Sequence, residues 1–297
     1  MHSDVEVILF GQGDGYEEAA AELGMVHRPD VLTNEKGVPR VDSMFTLAAQ
    51  DGRHPLHAYV NCDIILLSDF LAVATRIGFD RFLMVAQRWN LDVPGAIDFT
   101  NQDWGKELKG QCQTYGNLAY PGAIDIFLAR GPVWQALPPM VVGRGMYDQW
   151  LIYYCRARKV PVVDVTAVTT LIHQNHDYTH IEGGHRAVEV GAEATRNLQL
   201  GGGYRYMFTI QDADWRMSLR GLERNWCRGD SVRYGEVFGI LHETMPTILR
   251  AVCRVGAEVM CELNARCSAA CGGEWMPLVK VPGWLVKRIA KIFSSKG

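Results

Sequence analysis

The sequence predicts an α/β fold: a mainly parallel sheet flanked by helices, with a C-terminal helical extension. Three observations lead there. Short β-rich apolar runs alternate with helical segments over the first two-thirds of the chain. The runs end in glycine-rich or polar clusters, where chain reversal is cheap. From about Asp214 the strand signals fade and a helical pattern replaces them, so two parts are expected, 1–213 and 214–297.

Taken in order, residues 5–10 (Val-Glu-Val-Ile-Leu-Phe) read as a strand that ends at the turn-forming Gly11-Gln12-Gly13-Asp14-Gly15. Residues 16–23, rich in Ala and Glu, read as a helix stopped by Gly24. A short strand over 25–28, a helix over 42–50 and a strand over 56–60 follow, the last running into Asn61-Cys62-Asp63. Ser68 is the expected N-cap of a helix through Arg76. Residues 82–86 are again a strand. The polar, glycine-dotted stretch 92–120 is expected to be one long loop shaping a site. A strand over 123–129, a helix over 146–158 and a strand over 162–170 complete the alternation. Sheets of this kind bind ligands at the carboxyl ends of their strands.

Composition narrows the function. The 30 Lys and Arg against 33 Asp and Glu leave a net charge of −3, which gives no field for nucleic acid. No apolar run approaches the roughly 18 residues of a membrane span; the longest candidate, 64–79, is broken by Ser68, Asp69, Thr75 and Arg76. No signal peptide precedes the first strand, so the expected location is cytoplasmic. Of the eight cysteines none forms a CxxC pair, so reduced thiols are expected, Cys261, Cys267 and Cys271 included. The tail 277–297 carries Lys280, Lys287, Arg288, Lys291 and Lys296 and no acid. On a helix from Trp284, Leu285, Ile289, Ile292 and Phe293 share one face. Such a basic amphipathic helix either docks on the core or makes a peripheral contact with the inner membrane face or a partner.

Three constellations carry chemistry. Asn61-Cys62-Asp63 ends an apolar strand, and a carboxylate beside apolar walls needs a partner such as a divalent cation. If the backbone is extended, Asn61 and Asp63 lie on one face. His173-Gln174-Asn175-His176-Asp177-Tyr178-Thr179-His180, with His185 behind it, concentrates imidazoles in a chain that has nine; imidazole is a common transition-metal ligand. Gly143-Arg144-Gly145-Met146-Tyr147-Asp148 leads into a helix. Arg144 can fork onto a diphosphate, and Asp148 either serves the helix dipole or acts as a general base. Asp14, Arg88 and Asp164 are lesser candidates; Asp14 reads as a ribose contact or a turn residue. Gly11, Gly13 and Gly15 lack the GxGxxG spacing of a dinucleotide site.

The order of these motifs, Asn-x-Asp, then Gly-Arg-Gly-x-x-Asp-x-Trp, then His-Gln-Asn-His-Asp-Tyr, resembles GT-A-type glycosyltransferases, particularly a bacterial group. The resemblance spans about residues 5–212, and its most specific part is Asp164 to His180. It implies a GT-A-like, Rossmann-like fold and transfer of a sugar from a nucleotide-sugar donor to a hydroxyl acceptor, glycan or lipid-linked. It implies Mn²⁺ or Mg²⁺ at Asp63 with His173 or His176, Asn61 where a first acid often stands, and Asp148 as base. The strand 5–10 resembles the second strand of that family and the first has no counterpart, so the resemblance implies either a truncated form or an incomplete nucleotide site. The alternatives are a non-catalytic sugar-nucleotide-binding module and a metal-dependent hydrolase or nucleotidyltransferase.

Overall fold

The computed structural model describes residues 5–177 and 184–225. The chain begins with a strand–helix–strand unit: β1 (Ile8–Phe10), α1 (Tyr16–Leu23) and β2 (Val26–Arg28), with β1 and β2 paired in parallel. Gly24 ends α1 at φ 64°, a conformation that costs glycine little. Then come α2 (Val41–Asp51), β3 (Leu56–Val60), β4 (Ile64–Leu66), α3 (Asp69–Ala74), β5 (Phe82–Val85) and β6 (Arg88–Leu91). They are followed by α4 (Trp104–Tyr115), β7 (Asn117–Leu118), β8 (Ile126–Arg130), α5 (Tyr147–Ala157), β9 (Val162–Asp164) and β10 (Leu171–Gln174). Helices α6 (Gly184–Val190) and α7 (Ala192–Leu200) and strands β11 (Trp215–Ser218) and β12 (Gly221–Arg224) end the described part.

The central sheet has six strands in the order β12-β11-β9-β5-β8-β3. Its middle strand, Phe82-Leu83-Met84-Val85, is 0–1% exposed, because both faces are covered. Alternate side chains feed two cores. Leu83, Val85, Phe127 and Val162 pack against α2 and α5 through Phe45, Leu151 and Ile152. Phe82, Met84, Ile126 and Val163 pack against α3 through Phe70, Val73 and Ala74. The result is a helix–sheet–helix sandwich. A second sheet, β4-β10-β6-β7, packs with α4 around Leu91, Leu108, Cys112 and Ile172.

The expected α/β class is present, but its sheets are mixed rather than mainly parallel. Strands β3, β5, β9 and β11 share one direction, and β8 and β12 run against them. Strand–helix alternation sets the layers, not strand direction. After β5 the chain leaves for the small sheet through β6, α4 and β7, and β8 then enters between β3 and β5 in the opposite sense. Stretch 92–120 is likewise not one loop, since it contains the 12-residue α4. Only Leu108 and Cys112 of that helix are buried, and Gly105 and Gly110 weaken its pattern. Ser68 does precede α3, but its side chain makes no capping bond. The first compact unit runs to Asn225, because β11 and β12 extend the central sheet beyond residue 213. Residues 214–225, expected to open the helical extension, instead carry β11 and β12; the rest of that extension (226–297), with the basic tail, Cys261, Cys267 and Cys271, and also Tyr178 and His180, lie outside the described residues.

Candidate functional site

Register builds the site. Strand β10 pairs antiparallel with β4, placing His173 opposite Ile64, and the Gln174 N–H donates to the Asp63 carbonyl at 3.0 Å. Asp63, in the turn after β3, is thereby brought to two imidazoles more than a hundred residues away. Its Oδ2 lies 3.3 Å from His173 Nε2 and 3.2 Å from His176 Nε2. One donor atom from each of the three residues falls within 4.8 Å of the others.

This arrangement passes a test for a cation. Asp63 Oδ1 and both ring nitrogens of His173 are buried without a hydrogen-bond partner, and His173 is only 5% exposed. Orphaned buried polar atoms are costly, and a cation held between these groups would satisfy them. The 3.3 Å approach of His173 to Asp63 is a close contact rather than an aligned bond. His176 Nδ1 lies 2.7 Å from the Asp177 carbonyl oxygen, which holds the ring with Nε2 aimed at the cluster. Burial works to raise the Asp63 carboxyl, but the two imidazoles and Arg88 outweigh it and hold the group below its usual range.

Asp63 and His176 line a cavity of about 1860 Å³, shared with Arg88, Tyr120, Asp125, Arg144, Tyr147 and Asp148. Apolar side chains of β1, α2 and β3, including Phe10, Phe45 and Tyr59, form its other wall. Asp148 sits in the first turn of α5, entered through Met146 at φ 85°. Its Oδ1 is buried and unpartnered. Burial pushes its carboxyl up to about 7, opposed by backbone N–H groups of Gln149 and Ile124 and aided by the charge of Asp125. A carboxyl poised there is suited to take a proton at neutral pH.

Asn61 and Asp63 do not share a face, because the backbone turns at 61–64, where the Ile64 N–H donates to the Asn61 carbonyl at 3.1 Å. The Asn61 side chain is turned inward. Its Oδ1 accepts from the Tyr59 hydroxyl at 2.7 Å and its Nδ2 donates to Asp125 Oδ1 at 2.6 Å. Arg144 faces the cavity but spends Nε on Glu193 at 2.8 Å and Nη1 on the Gly143 carbonyl at 2.7 Å. Asp14 is exposed in the turn before α1, apart from the residues that line the cavity. Asp164 closes a local turn by accepting from Thr166.

Sequence reasoning missed Asp125, Tyr59 and Tyr120. Asp125 is 8% exposed, forms an ion pair with Arg88 at 2.7 Å, and burial pushes its carboxyl up despite that guanidinium. The signal was available: a single acid among Ala123, Ile124, Ile126, Phe127 and Leu128 needs a buried partner. No family model, curated protein or solved structure matches this chain.

Proposed function

We propose that this chain is a metal-dependent, GT-A-like glycosyltransferase. It moves a sugar from a nucleotide-diphosphate donor to a hydroxyl acceptor of a glycan or lipid-linked molecule. The observation that carries the reading is a cavity lined both by Asp63 and His176 of the Asp63–His173–His176 cluster and by Asp148 with its neutral-range carboxyl. Asp63, His173 and His176 would hold Mn²⁺ or Mg²⁺. Such an ion supplies charge neutralisation for a departing diphosphate. Asp148 takes the proton of the acceptor hydroxyl, whose oxygen forms the new bond to the anomeric carbon. The bond from that carbon to the diphosphate breaks, and its electron pair leaves with the nucleotide. Arg144 and Arg88 contribute positive charge at the cavity wall. Among the described residues no helix is long and apolar enough to cross a membrane, so a lipid-linked acceptor would be met at a surface.

The test is release of nucleoside diphosphate from a panel of sugar nucleotides with Mn²⁺. Turnover by the native chain that disappears in Asp63→Ala supports transfer, and unchanged turnover in that variant refutes it. A second reading, a binding module without turnover, is favoured by one observation: β1 and β2 pair only with each other, and β3 has no strand on its outer edge among the described residues. Calorimetric binding of the same nucleotides without product release would select it.

A further inference from the structure

A chain of hydrogen bonds joins the helix that carries Asp148 to the strand beside His173. The Tyr147 hydroxyl, at the start of α5, lies 3.3 Å from the Tyr59 hydroxyl, which donates to Asn61 Oδ1. Asn61 Nδ2 donates to Asp125 Oδ1, and Asp125 Oδ2 accepts from Arg88 Nη1 at 2.7 Å. Arg88 Nε then donates to Asn90 Oδ1 at 3.1 Å, and Asn90 is the register partner of His173 between β6 and β10.

We propose that Asn61 is a positioning residue rather than a ligand: as the neutral junction of this chain, it fixes the turn that sets Asp63 against His173 and His176. The proposal deepens the transferase reading and rests on it for the identity of the ion.

The argument is one of donors and acceptors. Position 61 must accept from Tyr59 and donate to Asp125 at the same time, and an amide does both. A carboxylate has no proton to give. Placed there, it would face the Asp125 oxygen at about the present 2.6 Å, acceptor against acceptor, inside a partly buried network. The backbone is tied to the same junction, since the Asn61 N–H donates to the Asp125 carbonyl at 3.1 Å. The neutral amide between the strand and Asp63 is therefore required by its neighbours. Restoring an acid at 61, which on charge alone should strengthen cation binding, is expected to weaken it.

The experiment compares the native chain with Asn61→Asp, Asp125→Asn and the double variant, by melting temperature without metal and by titration with Mn²⁺ alone. Asn61→Asp is expected to melt about 5 °C or more lower and to bind Mn²⁺ about tenfold more weakly. The double variant reverses the polarity of that one bond and keeps an acceptor for Arg88, so it should recover most of the lost melting temperature. Tighter Mn²⁺ binding by Asn61→Asp, an unchanged melting temperature, or a double variant no more stable than Asn61→Asp would each overturn the proposal. Failure of the native chain to bind Mn²⁺ would instead remove the metal reading, and the metal-free melting series would still decide the role of Asn61.

Discussion

In the proposed transfer reaction, Asp148 would couple function to stability through one proton. The folded chain holds that proton up to a pH of about 7, whereas an ordinary aspartate gives it up near 3.8. Between those values the folded state binds a proton that the unfolded state has lost, so the contribution to stability falls as pH rises from about 4 to about 7. Above that range the carboxylate is ionised in both states and the cost stays. Replacing the group with a neutral isostere removes the cost. Asp148→Asn is expected to be more stable than the native chain by about 2–4 kcal/mol at pH 8 and equal to it at pH 3. The same substitution should abolish transfer, a pairing typical of destabilised functional groups. The native rate should rise with pH through about 7, as the base form accumulates. Denaturation at the two pH values and a pH–rate profile check both signs; a stability gain at pH 3 equal to that at pH 8 would contradict the assignment.

Among the elements, α5 bears the clearest local strain away from the site. It ends with the Val160 N–H donating to the Cys155 carbonyl at 2.9 Å, which requires Lys159 in the left-handed region at φ 55°. Lys159 is exposed, so its side chain forfeits no packing if removed. Lys159→Gly is expected to stabilise the chain by about 1 kcal/mol, read as a higher urea midpoint with an unchanged slope. Legibility also divides at this scale. Apolar runs bounded by glycine and polar clusters marked β3, β5, α2 and α5, because local pattern and local structure agree there. Helix α4 was hidden because only Leu108 and Cys112 face a core, too few to imprint a period. The cluster residues Asp63, His173 and His176 could be read one by one from strand ends and histidine density. Their meeting could not, since it depends on the β4–β10 register between distant segments. The inward turn of Asn61 depends on Asp125 and Tyr59, neither of which is marked by a motif.

Across the whole of the first compact unit, cohesion is uneven. Strands β5, β8 and β9 lie inside the six-stranded sheet with neighbours on both sides, and their side chains fill two cores. Strands β1 and β2 have three residues each, pair only with one another among the described residues, and are half-buried throughout. A two-stranded pair gains little from its few ladder bonds, and parallel pairs normally rely on cover from both faces. The β1 side of the unit also forms a wall of the large cavity, so the opening of β1 and the filling of the cavity are linked. A ligand that binds only the closed form raises the free energy of opening by RT ln(1 + [L]/Kd), so the effect grows with its free concentration. Hydrogen exchange is therefore expected in two tiers. Amides of Ile8–Phe10 and Val26–Arg28 should exchange by local opening, while those of Phe82–Val85 and Ile126–Arg130 should exchange only with global unfolding. Adding a nucleoside diphosphate with Mn²⁺ should slow the Ile8–Phe10 tier together with other locally opening segments that line the cavity, and leave local exchange away from it unchanged. Equal protection of both tiers in the ligand-free chain would show that the β1–β2 unit is no weaker than the sheet. Slowing confined to segments that do not line the cavity would place the ligand outside it.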